Sequence, residues 1–182
     1  MRLFLFLFAL SLALVSGCLI SESDEYRLVM NEDGKSGTMV VVRRNVQSDT
    51  EDPQQQERDF DELMSNWRGD KHLLDQMEKG LYIKERKLSL EKGTLVWRET
   101  SLFSDVSKLF PGFNVNDSLR IPLKDTTGSV IATNGILVVQ KDSSGVVWPP
   151  HTKVFELART SREFKPKSNF AEWFRKTVKD RR

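Results

Sequence analysis

One cysteine, two histidines and two tyrosines in 182 residues leave this chain short of the side chains that many sites are built from. A lone cysteine excludes an internal disulfide. With Cys18 the single thiol and His72 and His151 the two imidazoles, no Cys/His set has zinc spacing, so neither a metal nor a cofactor is expected. The glycines form no Gly-x-Ser-x-Gly elbow and no Gly-x-Gly-x-x-Gly fingerprint. Gly34-Lys35-Ser36 has the end of a phosphate loop, but Val29 stands where that loop needs its first glycine. Asn31-Glu32-Asp33-Gly34 lacks the ligand order of a calcium loop. Net charge is small: 28 bases against 26 acids, or +2, which argues against a nucleic-acid partner. After residue 15 no apolar run approaches the roughly twenty residues that a membrane-spanning helix needs.

The informative residues stand at the start. Arg2 is followed by an apolar run from Leu3 to Val15, broken only by Ser11, and then by Ser16-Gly17-Cys18. The run is too short to span a bilayer and reads as a secretion signal cut after a small residue. Val15-Ser16-Gly17-Cys18 resembles the lipobox of bacterial lipoproteins: an aliphatic residue, a small one, Gly or Ala, then Cys. That resemblance implies that the Cys18 thiol receives a diacylglyceryl group, that cleavage falls between Gly17 and Cys18, and that the new amine is acylated. It also implies that Leu19, where an Asp would signal otherwise, directs the protein to the outer membrane of a double-membraned bacterium, on its periplasmic face. The resemblance covers the N-terminus alone. Physical chemistry supports it, because two or more acyl chains anchor stably where one holds marginally. The alternatives are simple secretion, which leaves Cys18 as an unpaired thiol, and an uncleaved anchor.

Three segments follow: 1–17 as cleaved signal peptide, 18–25 as lipidated cysteine and polar tether, and 26–182 as a single extracytoplasmic domain. Removing residues 1–17 from 182 leaves 165, enough for one domain with its own core. Arg2 goes with the signal, so 27 bases face 26 acids and the net charge is +1. That charge is unevenly placed. Residues 22–62 carry twelve acids and five bases, and residues 159–182 carry nine bases and three acids. The two ends are solvated faces that meet in the fold, or the basic end meets anionic lipid or an acidic partner.

The fold class is α+β, mainly antiparallel sheet. Tyr26–Met30 and Thr38–Val46 flank an Asp-Gly loop as a hairpin. Met39-Val40-Val41-Val42 is apolar on both parities, which suits an inner strand covered on both faces. Pro53 opens a helix near a cap at Asp52 or Glu51, and Phe60, Leu63, Met64 and Trp67 make one apolar stripe. Gly69-Asp70 breaks it; Leu73, Leu74 and Met77 continue as a second amphipathic piece that Gly80 ends, so the helical segment covers 53–79. Leu81–Leu90 and Thr94–Leu102 form a second hairpin, with a bulge between Ile83 and Leu88. Ser104 caps a short helix that Pro111-Gly112 stops. Residues 118–148 read as a meander with turns at 125–128, at Asn134-Gly135 and at 142–145, and Asn-Gly is the strongest hairpin signal in the chain. Val154–Arg159 is a further strand, and Ser168 caps an amphipathic C-terminal helix over 169–178.

Candidate contacts are few. Trp97, Trp148 and Trp173 can line a ligand pocket or stack on glycan, or serve as core. Arg175, Lys176 and Lys179 sit on the polar side of the last helix, whose aromatic side docks on the sheet or lies on a membrane. The expected function is a lipid-anchored envelope protein, non-catalytic, acting as a binding or scaffold module for an envelope protein, lipid or glycan. The alternatives are a carrier with an apolar pocket, and a hydrolase of envelope polymers using His72 or His151 beside carboxylates.

Overall fold

The computed structural model describes residues 19–110, 113, 116–123, 129–140, 143–161 and 164–179. Among the described residues it is α+β, with antiparallel sheets and four helices. Six strands form the main sheet in the order β5-β6-β3-β2-β11-β8: Leu81–Glu91, Thr94–Phe103, Gly37–Arg44, Ser23–Met30, Val154–Thr160 and Val130–Thr133. A three-stranded sheet has the order β7-β10-β9: Leu119–Leu123, Ser143–Trp148 and Ile136–Gln140. A third, two-stranded piece pairs β1 (Leu19–Ile20) with β4 (Gln47–Ser48).

The two hairpins read from the sequence form as expected. Met30 faces Gly37 across the β2–β3 loop, where Asp33 accepts from the amides of Lys35 and Ser36 at 2.8 and 2.9 Å. Those bonds, led by the Ser36 hydroxyl, hold the Asp33 carboxyl below its ordinary range. The β5–β6 turn uses Lys92 at φ +50° and Gly93 at φ +84°, a pair of left-handed residues that matches strand twist. The bulge in β5 falls between Ile83 and Glu85.

One face of the main sheet carries all of the roof. At one end the three-stranded sheet and α3 (Val106–Leu109) cover Leu28, Met30, Met39, Leu81, Phe103, Phe155 and Leu157, with Val146 and Trp148 at the centre. At the other end α1 (Pro53–Arg68) and α4 (Phe170–Lys179) cover Leu88, Leu95 and Trp97. On the opposite face Val42 and Val96 are buried as well, at 4% and 1% exposure. Val40 is half-buried there, and the surface is laid with ion pairs: Arg44 to Glu25 at 2.6 Å and to Glu91 at 2.9 Å, and Arg27 to Glu156 at 3.0 Å. The both-face cover expected for β3 is met at Val42 and in part at Val40. Its second apolar parity, with Val42 buried, lies among charged side chains; Arg98 and Glu25 are its cross-strand neighbours.

The meander is corrected. β8 and β9 do not pair with each other: β8 bonds to β11 in the main sheet, and β9 bonds to β10 in the small one. Asn134-Gly135 is a corner between sheets. Neither residue takes positive φ. The glycine is needed for space, since a Cβ there would lie 2.5 Å from Val146 and 2.7 Å from Trp148. Asn134 pins the corner: its Oδ1 accepts from Trp148 Nε1 at 2.7 Å and from the Glu156 amide at 2.9 Å, and its Nδ2 donates to the Val154 carbonyl.

Candidate functional site

Residues 1–18, and with them Gly17, Cys18 and the signal, lie outside the described residues, as do the Pro111-Gly112 stop and the 125–128 turn. What is described begins one residue after the cysteine, and it is not a tether. Leu19 pairs with Ser48 and Ile20 with Gln47. Leu19 also packs against the helical core. Ser21 Oγ donates to Asp24 at 2.5 Å, and β2 has already begun at Ser23. Asp24, Tyr26 and Arg159 then close a polar cluster: Arg159 lies 3.5 Å from Asp24 and its guanidinium stands over the Tyr26 ring. Burial, with Asp24 beside it, pushes the Tyr26 phenol above its ordinary value, against the opposing pull of Arg159 and Arg43. For residues 19–25 the tether expected over 18–25 is thus corrected: strand pairing and this cluster fix them to the body.

The same entry point is clasped to the C-terminal helix. The Ser48 amide donates to Ser168 Oγ at 3.1 Å, and Gln47 Oε1 accepts from the amides of Lys167 and Ser168. Gln56 Nε2 donates to the carbonyls of Thr50 and Lys167, and Ser48 Oγ donates to the buried Asp59 at 2.5 Å. So Ser168 does not cap α4; Asn169 does, accepting from the Glu172 amide at 3.3 Å. Likewise Asp105, not Ser104, caps α3 through the Ser107 amide. No sequence rule marks a two-residue strand such as β1 or β4, and nothing in the composition announced this clasp.

α4 lays its aromatic side on α1. Phe170 and Phe174 are buried, Phe60 meets Phe170 at 5.3 Å and Trp173 at 5.6 Å, and Trp67 meets Phe174 at 5.6 Å. Trp173 is a half-buried member of this aromatic cluster. Arg175, Lys176 and Lys179 are exposed, and Lys176 pairs with Glu172 at 2.9 Å. The acidic and basic segments do meet, through Arg159–Asp24 and through Lys167–Glu51 at 3.9 Å.

Trp97 and Trp148 are each 1% exposed and face the two cores, so neither presents a ring to a ligand in this structure. A recess between Leu19, Val46, Leu63 and Trp97 has room for about one water molecule, not for a lipid or sugar.

Where the two cores meet, the roof turns polar. α2 (Lys71–Glu78) buries His72 and Gln76 and exposes Leu74 and Met77. An amphipathic helix ordinarily turns its apolar side inward, but of Leu73, Leu74 and Met77 only Leu73 is half-buried. His72 Nε2 lies 2.7 Å from Glu99 Oε2, both 3% exposed, with Ser101 Oγ donating to Glu99 at 3.3 Å and the Trp97 ring edge-on to the imidazole. Glu99 and Ser101 sit on the roofed face of β6 and recruit the polar side of α2 onto it. Gln76 is fully buried, and among the described residues its amide and Trp97 Nε1 make no hydrogen bond. This sealed His–Glu pair is closed to substrate. His151 is exposed at φ +62° after Pro149-Pro150. Among the described residues no three His, Cys, Asp or Glu side chains are grouped to hold a metal, and no helix is long and apolar enough to cross a membrane.

No family model, no curated protein and no solved structure matches this chain.

Proposed function

We propose that this chain is a lipid-anchored protein of the bacterial cell envelope, on the periplasmic face of the outer membrane, that works by binding or scaffolding and not by catalysis. The observation that carries the reading is the chain's entry into the fold. A signal-like run ends in Val15-Ser16-Gly17-Cys18, and the next residue, Leu19, is already hydrogen-bonded in β1. A lipid on Cys18 would hold the body one residue step, about 3.8 Å of backbone, from its anchor. Two acyl chains suffice for stable attachment.

Binding is favoured over catalysis because the His72–Glu99 pair is sealed from solvent. It is favoured over a carrier role because the two tryptophans best placed to line a pocket are spent on core packing. The test is membrane fractionation of the wild type and of Cys18→Ala. Wild type should partition with detergent-extracted membrane at a mass shifted by lipid, and the variant should accumulate as an unlipidated precursor. Identical partitioning and mass for the two would overturn the reading.

A further inference from the structure

The two larger sheets end in four edges, and the edges differ in kind. The β5 edge carries the consecutive charges Lys84, Glu85, Arg86 and Lys87 and a bulge. The β7 edge carries Arg120 and Pro122, a residue with no N–H to offer. These are the devices by which proteins keep edges from pairing. The β8 and β9 edges carry neither a charge nor a proline. Residues 129–140 form a twelve-residue run without a charge or a proline, in a chain that is 30% charged. Ile131, Ile136, Leu137 and Val139 stand 58, 59, 51 and 75% exposed along it. Among the described residues no strand pairs with the outer side of β9. The corner between the two strands is held by Asn134.

We infer that β9 is the self-association edge of this protein: a second copy pairs antiparallel with it about a two-fold axis, joining two three-stranded sheets into one of six. The occupant follows from charge. An edge without charges meets its own copy with no like-charge penalty, whereas the β5 edge would bring four charged side chains against four more. A two-fold pairing uses the same patch on both copies and closes at two. β9 is favoured over β8, which is shorter and has a register shift against β11 at Ala158/Arg159.

The test is sedimentation equilibrium of the intact purified protein in density-matched non-ionic detergent, for wild type, Val139→Lys and Leu102→Lys. Leu102 is 44% exposed on the inner strand β6 and controls for added charge alone. Wild type and Leu102→Lys should show a monomer–dimer equilibrium, and Val139→Lys should weaken it at least tenfold, with an unchanged circular-dichroism melt. A monomeric wild type overturns the inference, whether or not it adheres to vesicles. So does a Val139→Lys variant that dimerises like wild type, or a ladder of higher oligomers. An unlipidated Cys18 would leave this result untouched, so the two readings fail separately.

Discussion

Two helices lie on the same face of the same sheet and obey opposite rules. α1 puts Phe60, Leu63 and Met64 inward and most of its charges outward, as an amphipathic helix should. α2, two residues further on, puts His72 and Gln76 inward and leaves Leu74 and Met77 in solvent. The difference lies in what each helix lands on. α1 lands on Leu88, Leu95 and Trp97, while α2 lands on Glu99 and Ser101. A buried carboxylate left alone costs several kcal/mol, so the sheet selects the helix side that can answer it. The lesson is that an apolar stripe predicts orientation only when the surface beneath it is apolar.

The comparison can be broken from the α2 side. His72→Ala leaves Glu99 buried with only the Ser101 hydroxyl and should cost about 1–3 kcal/mol in a denaturant melt. A loss under about 1 kcal/mol would mean that the pair does not hold α2. Gln76→Leu removes an amide that, among the described residues, makes no hydrogen bond at full burial, and should raise stability by about 1–2 kcal/mol. A loss of that size would show that the amide is satisfied in solution. Tyr26, in the polar cluster at the start of β2, extends the contrast to pH. Its folded value lies above the ordinary 10.0, so the folded state holds the phenol proton more tightly. That stability is whole below pH 10 and lost as pH rises through the folded value. An ultraviolet titration of wild type against Tyr26→Phe should place the Tyr26 ionisation above pH 10; ionisation at or below that value would contradict this. The smallest effect belongs to Leu74→Glu on the outward side of α2, which should change stability by no more than about 0.5 kcal/mol.

Much of the fold is legible where local chemistry and tertiary context agree. Asp52 caps α1 with Pro53 at its first turn, Gly80 takes positive φ after α2, and Lys92-Gly93 closes a tight hairpin. What is not legible depends on a partner distant in sequence. Asn134-Gly135 has the letters of a hairpin turn, but Trp148 and the β11 backbone claim the asparagine and turn the pair into a corner. Ser168 has the chemistry of a helix cap, but the Ser48 amide, 120 residues away, takes its hydroxyl. The order of residues 19–25 depends likewise on β4 and Arg159, so a polar stretch that reads as a tether is built into the body. The α2 inversion belongs with these, since Glu99 lies 27 residues beyond His72.

The proposed anchor is the centre of the account, because it would determine which membrane surface the body faces and at what distance. Intact-mass spectrometry of the protein extracted from its native envelope tests it most directly. The account predicts a polypeptide starting at Cys18 and carrying a diacylglyceryl adduct, with or without a further acyl group on the amine. A chain that starts at any other residue, or one whose Cys18 has a free thiol, would contradict it.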